Sequence, residues 1–599
     1  MGVQRSKWGR GSWSSSSDPY DGHEAALKPE HDGNALLPHK GRGDDYFNGD
    51  IYDGRPTEEE TRWEIDSSNM PYLSHIKSLS HFYPHLRFLA QWMQVTTSPV
   101  KWQFIKSQPN LEAIRQERAS RIKVAAVDFA SGQGQPTIER INTRAGLTDR
   151  LDSALPSGTT RLYIVEDLSR NVIELLGSRL DIDPQFFREQ INDYLWFNTR
   201  DPWVELPDLD VVARNRPFFR LQYVHSRYFK NQKIFREAQV QAGMFNVLRR
   251  LDDDSEHDSL FDEHGAIIAL VRSKASLWIR PSKPGEDTVG VLLIDPSVTA
   301  GHPLWGGYRP FKTSPPPSES SKVYASPPRD SLFEDLLFWI AQMPPDDVDA
   351  VRDNPRAMAH RMVQIICAEW LTLSRYILAR LGQIEWEVER PDFRPESLKG
   401  IDSSLSKSHT WRRRLPIFRN MVADAQKKLF RENYGPGASA AVKAVTDSPG
   451  GTDCISDLRD DFAIVAKGLE DLLAKMDRIT AVTTAVAAFE ESRRAVEQNR
   501  ALGRLTYLAV IFAPLSFVSS FFSMSTDVTE LSQTFWVYFC VAVPISLGVY
   551  LVVDQKWTNS LQGVWRGRKD ALDWRGRLGH AREKRPKQGG GRRAGALAS

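Results

Sequence analysis

The chain has 599 residues, 41% of them apolar and 26% charged, with 78 basic side chains against 76 acidic ones. That length exceeds one ordinary domain, and a net charge of +2 offers no general electrostatic case for a nucleic-acid partner, so none is expected. The three cysteines, Cys367, Cys454 and Cys540, lie far apart without metal-ligand spacing, which speaks against a disulfide framework and agrees with a reducing compartment.

Residues 1–60 are rich in Gly, Ser, Asp and His and read as disordered. No early apolar stretch there resembles a signal peptide. Met1-Gly2-Val3-Gln4-Arg5-Ser6 fits the myristoylation pattern, a motif short enough to arise by coincidence. Residues 61–300 read as an α/β domain. Pro71 and Pro84 limit helices near its start; Ile122–Phe129 and Arg161–Val165 read as buried strands, and Glu166–Leu180 as a helix with Leu168, Val172, Leu175, Leu176 and Leu180 on one face. Pro184 opens a further helix. The runs Phe218–Val224, Ile267–Arg272, Ser276–Arg280 and Val289–Ile294 predict four more strands, with short turns that favour antiparallel pairing.

Residues 301–330, with Pro315-Pro316-Pro317, read as a loop, and 331–434 as a helical region made of Leu332–Met343, Pro355–Ile384 and Ser404–Asn433. A second Gly/Ala/Ser/Pro segment, 435–456, reads as a disordered linker. Then Val465, Leu469, Leu472, Met476, Ile479, Thr483 and Val486 alternate steps of four and three, a heptad seam. No Pro or Gly falls between Leu469 and Ala501, so a helix starting near Asp457 is expected to run through a stalk, 457–504, into the apolar run Leu505–Met524.

Neither Leu505–Met524 nor Phe535–Val553 contains Lys, Arg, Asp or Glu, and each is long enough to cross a hydrocarbon layer of ~30 Å. Ten residues, Ser525–Thr534, join them, which predicts a hairpin of two transmembrane helices, 505–524 and 535–553, with an outer loop at 525–534. Arg493, Arg494, Arg500 and Arg504 precede the first run, and residues 554–599 hold twelve basic side chains against four acidic ones. The loop carries Asp527 and Glu530 and no cation. The positive-inside bias therefore puts both termini in the cytosol or a matrix-like compartment. Trp557, Trp565 and Trp574 among the basic residues of the tail suit contact with an anionic leaflet. The fold class expected is α+β: a cytosolic α/β domain, a helical bundle, a stalk helix and two C-terminal spans.

At helical spacing, Leu502, Leu505, Ala509, Ala513, Ser516, Ser520 and Ser523 share one face of the first run, apolar at the inner end and hydroxylated toward the loop. Such a face suits either close helix contact or a wet pore. Two spans cannot enclose an ion path, so transport requires an oligomer, for which the heptad seam offers a means of assembly; an intrachain coiled hairpin with an earlier helix is the alternative use of that seam. Pro514 interrupts the backbone ladder mid-span.

The stretch Asn499–Met524 resembles the first transmembrane helix of the CorA family of magnesium channels and transporters. Leu505-Thr506, Pro514-Leu515-Ser516-Phe517 and Ser523-Met524-Ser525 stand in register with that family's LT, PLTF and Gly-Met-Asn motifs. Arg161–Phe187 resembles its strand–helix segment more loosely, and the whole is similar to the divergent fungal branch. The resemblance implies a self-assembled, pentameric transporter in a lipid bilayer, with no cofactor and a divalent cation, magnesium first, as cargo. It implies an ion pathway of Ser525, Ser523, Ser516, Ser520 and Glu530 and a gate at Leu502 and Leu505. Ser523-Met524-Ser525 departs from Gly-Met-Asn, so zinc or another divalent ion, or a non-conducting scaffold or sensor, stands as the alternative. No phosphate loop, HExxH or G-x-S-x-G motif occurs, and no enzyme is expected. His81 and His85 are four apart across Pro84 and read as packing or surface residues.

Overall fold

The computed structural model describes residues 63–98, 105, 108–130, 134–192, 208–213, 215–249, 251–254, 265–280, 287–314, 316–319, 325–389, 401–430, 455–523 and 536–548. The expected disordered N-terminus, the basic tail, most of the linker at 435–456 and the outer loop lie outside these residues. The chain divides into two compact units, Met1–Thr484 and Ala485–Ser599.

The first unit opens with α1 (Pro71–Leu79), α2 (Arg87–Val95) and α3 (Leu111–Ser120), followed by β1 (Val124–Ala130), β2 (Thr137–Ile141), α4 (Arg144–Asp152) and β3 (Thr159–Glu166). Next come α5 (Arg170–Leu180), α6 (Pro184–Ile191), α7 (Asp210–Ala213), β4 (Phe218–Phe229), α8 (Gln232–Met244), β5 (Leu251–Asp254), β6 (Ile267–Ile279), β7 (Thr288–Ile294) and β8 (His302–Pro303). The strands form one eight-stranded sheet in the order β2-β1-β3-β7-β6-β4-β8, with β5 also on β6. Only β3 and β7 pair in parallel; the other ladders are antiparallel.

Alternation along the strands gives the sheet two apolar faces. Leu162 and Ile164 of β3 and Leu292 and Ile294 of β7 point into one core, while Tyr163, Val165, Val291 and Leu293 point into the other. Helices from the segment before residue 192 cover the second face. The first is covered by α9 (Leu332–Ala341), α10 (Pro345–Asp353), α11 (His360–Glu389), α12 (Ile401–Leu429) and the start of α13 (Arg459–Phe522).

Local chemistry fixes the helix ends. Ser169 and Asp183 accept the N–H groups of Val172 and Gln185 as N-caps of α5 and α6. The N-terminus of α1 is capped from a distance: Glu174 accepts from the backbone of Tyr72 at 2.8 Å and Leu73 at 2.9 Å. Gly177 lies beneath the Tyr72 ring, where a Cβ would collide, so α1 and α5 approach as only glycine permits.

Ile267–Arg272 and Ser276–Arg280, expected as two strands, are one. The polar triplet Arg272-Ser273-Lys274 resembles a turn in sequence but continues β6, because each charge finds partners. Arg272 pairs with Asp252 at 2.8 Å; Lys274 is buried, and its ammonium donates to the carbonyls of Glu189 and Asn192. β4 likewise runs past Val224 to Phe229, in register with β6 from Phe218↔Trp278 to Phe229↔Ile267. The exposed edge strand β2 (TIERI) has no apolar alternation and escapes a pattern search.

One described helix has the length and apolarity to cross a membrane, Pro355–Glu389, with a mean hydropathy of 1.2. Its apolar side chains Met362, Ile366, Trp370, Leu373, Ile377 and Leu381 belong to the core on the sheet, which marks it as an interior helix. Of the two apolar runs at 505–524 and 535–553, the described apolar helical stretches are shorter, Ile511–Ser520 and Trp536–Gly548 (α14).

Candidate ion pathway

α13 is a single helix of 64 residues, Arg459–Phe522, close to the expected start and end. Its heptad seam is largely occupied within the first unit. Val465, Leu469, Leu472, Met476 and Ile479 are buried in the same core as α11 and α12, and Thr483 is 1% exposed. The Thr480, Thr483 and Thr484 hydroxyls each donate to the carbonyl four residues back, so their polar atoms are satisfied within the helix. Of the two uses expected of the seam, the intrachain one is seen: it holds the helix to its own domain, at least through Thr483.

In the second unit the predicted pathway residues lie on the open side of α13. Leu502 and Leu505 are exposed, as are Ser516, Ser520 and Ser523. At ~100° per residue these five fall within a sector of about 60°. Val518, about 200° round from Ser516, is the buried position at 5% exposure, and Ala542 of α14 is fully buried. The Tyr538 hydroxyl of α14 donates to the Leu515 carbonyl oxygen at 3.4 Å. The second apolar helix thus engages α13 near Leu515, and among the described residues Ser516, Ser520 and Ser523 stay exposed, as do Leu508, Phe512 and Phe517 on its other sides. Sequence reasoning missed the Tyr538 contact, whose only signal is a hydroxyl on an otherwise apolar run.

Pro514 has no N–H, so the carbonyl four residues earlier loses its helical donor while the helix continues to Phe522. Ser523 sits in the turn after the helix, its N–H donating to the Ser519 carbonyl at 3.0 Å. Ser525 and Glu530 lie outside the described residues. Among the described residues no group of three or more His, Cys, Asp or Glu side chains could hold a metal ion. The described face carries a column of hydroxyls, each both a donor and an acceptor of hydrogen bonds.

The family model described as "CorA-like Mg2+ transporter protein" matches residues 444–555. No curated protein matches the chain. A solved structure described as "structure of the full-length CmaX protein" aligns over 73% of this chain and 98% of its own length, at 12% identity and a TM-score of 0.31. The resemblance read from Asn499–Met524 is borne out to this extent: that stretch falls within residues 444–555, which the CorA-like model matches.

Proposed function

We propose that several copies of this chain, five by the family resemblance, assemble in a membrane and pass divalent cations, magnesium foremost, through a pore lined by the apolar part of α13. The match to a magnesium-transporter family over residues 444–555 supports the class of function. The observation that carries the pore assignment is the exposure of Ser516, Ser520 and Ser523 on the side of α13 opposite Val518. The runs 505–524 and 535–553 are the two spans, with both termini on the basic, cytosolic side.

The chemistry follows from magnesium's reluctance to lose water. Serine hydroxyls can hydrogen-bond to first-shell water, so Ser523 and Ser525 would hold the hydrated ion at the outer mouth, and Ser520 and Ser516 would hand it inward. Glu530 raises the local cation concentration at that mouth without tight binding. Leu502 and Leu505 close the inner end by excluding water when brought together around the axis. The replacement of Gly-Met-Asn by Ser523-Met524-Ser525 favours a second reading, a non-conducting scaffold or sensor that retains the assembly.

Flux into proteoliposomes separates the readings. Wild type is expected to admit Mg²⁺, with Zn²⁺ and Co²⁺ compared in parallel; Ser516→Leu abolishes entry and Ser525→Ala reduces it. Absence of flux under any divalent gradient, from protein shown to be assembled, overturns transport in favour of the scaffold. Flux untouched by both substitutions overturns the serine face alone.

A further inference from the structure

At the C-terminal end of α2, three arginines from other elements converge on backbone carbonyls. Arg115 of α3 donates through Nε to the Gln94 carbonyl at 3.0 Å and through Nη2 to the Trp63 carbonyl. Arg118 donates to the carbonyls of Thr96, Met244 and Phe245. Arg170, the first residue of α5, reaches the Gln94 carbonyl through Nη1 at only 3.4 Å. Arg115 already satisfies that carbonyl, so capping the end of α2 does not account for Arg170. The Arg170 side chain is nevertheless buried, at 3% exposure, and its Nε–H has no partner. Two further orphans lie within three residues of the same carbonyl: the hydroxyls of Thr96 and Thr97, both residues fully buried. Thr96 also holds the left-handed backbone, φ 56° and ψ 37°, which a β-branched residue rarely adopts. The Gln94 amide oxygen is unpartnered too; it can accept one donor but cannot balance a charge.

What this corner lacks is a counter-charge. Elsewhere in the protein, Arg161 and Arg249 present Nε and Nη2 side by side to a carboxylate, that of Asp128 and Asp295 respectively. Arg170 presents the same edge to no carboxylate among the described residues. Burial and the neighbouring Arg115 push its guanidinium down to about 10; Glu112 opposes this and Arg144 adds to it. With Arg170 itself, these groups amount to three cations against one carboxylate, and Glu112 is exposed and already lies 3.7 Å from Arg115. A buried cation without a counter-ion is strongly unfavourable, and a water molecule filling the space brings donors and acceptors but no charge. An excess of two positive charges suits a dianion. A phosphate oxygen pair fits the parallel Nε and Nη2 donors, and its remaining oxygens can accept from hydroxyls. Arg144, exposed at the start of α4, adds positive potential on the solvent side. We propose that this corner binds a phosphate group, free or esterified to a small molecule, gripped by the Nε–Nη2 edge of Arg170.

The test is equilibrium dialysis of the full-length protein in detergent, in chloride buffer of fixed ionic strength, with inorganic phosphate, ribose 5-phosphate and acetate as probes. Inorganic phosphate is expected to bind saturably, and acetate about tenfold more weakly or less, since a monoanion balances only part of the excess charge. Binding of ribose 5-phosphate as well assigns the site to phosphate esters, and its exclusion assigns it to the free ion; both support the proposal. Arg170→Met, similar in length and uncharged, should weaken phosphate binding about tenfold or more. Arg170→Lys, which keeps the charge without the paired donors, should fall between. In chloride alone Arg170→Met should melt no lower than wild type, because it removes a buried cation that has no counter-ion. Phosphate should raise the melting temperature of wild type and leave that of Arg170→Met unchanged. Absence of saturable phosphate binding, as when water alone fills the space, overturns the site, and so does binding unchanged in Arg170→Met. A marked fall in melting temperature for Arg170→Met in chloride also overturns it, because the guanidinium would then serve the fold alone.

Discussion

Glu369 of α11 is a half-buried carboxyl that feels Asp335 and Arg227. Burial pushes it up to about 8, Asp335 adds to the rise and Arg227 opposes it. Its ordinary value in an unfolded chain is 4.5, so the folded state holds the extra proton between these limits, and this group's contribution to stability falls as pH rises from about 4.5 to 8. Two other buried groups sharpen the expectation. His225 is driven down to about 3 by burial and Arg227, so below about pH 6.5 the unfolded chain binds a proton there that the folded state does not, and this group opposes the Glu369 slope up to that pH. Asp167 is raised to about 6 by burial, against the N–H groups of Asn246 and Val247, and acts with the same sign at lower pH. Glu369→Gln is therefore expected to remove that group's downward slope across about pH 4.5 to 8, an effect of up to a few kcal/mol at pH 8, leaving the opposed slopes of Asp167 and His225 at lower pH. Chemical denaturation of wild type and variant at a series of pH values checks this; parallel curves would refute it. A second residue-scale prediction concerns Gly177. Its Cβ-less contact with Tyr72 makes Gly177→Ala destabilising by about 1–3 kcal/mol, although alanine is the better helix former, and a thermal melt reads the sign.

At the scale of elements, α13 shows why some of this fold was legible and some was not. The four-three spacing from Val465 to Thr483 announced both a helix and its buried side, because helical period and burial are one pattern read along a single segment. What that side packs against is a non-local fact. Only the three-dimensional structure places Leu469, Leu472 and Met476 in a common core with Trp370, Ile377 and Trp411. The interruption expected in β6 has the same origin: Lys274 looks like a surface residue until its carbonyl acceptors on α6 and just beyond it are known. The hydroxyl column was legible from spacing alone, yet its exposure depends on where α14 settles, which no spacing encodes. Since Leu469 is fully buried, Leu469→Ala is expected to cost about 2–5 kcal/mol in the first unit. The loss should appear in denaturant melts followed by that unit's tryptophans, and a shift below about 1 kcal/mol would mean the seam is not packed as described.

At the scale of the whole molecule, the proposed assembly must find a surface other than the heptad seam. On α13 the exposed apolar residues Val482, Phe489 and Val496 recur every seven positions, at 49%, 72% and 47% exposure. A repeat of seven keeps side chains on one stripe where helices wind together, and an aromatic residue at its centre is the sort of anchor that dominates interface energy. Phe489→Glu is thus expected to weaken self-association by about 2 kcal/mol or more, read as loss of oligomer by light scattering in detergent. The melting of the first unit should not change, because Phe489 lies beyond Thr484. Leu469→Ala should behave in the opposite way, lowering that melting transition while leaving subunit number intact. A Phe489→Glu protein that remains fully oligomeric would move the assembly surface off this stripe. One that loses both oligomer and divalent-cation flux would tie conduction to assembly, as a pore built from single helices of several copies requires.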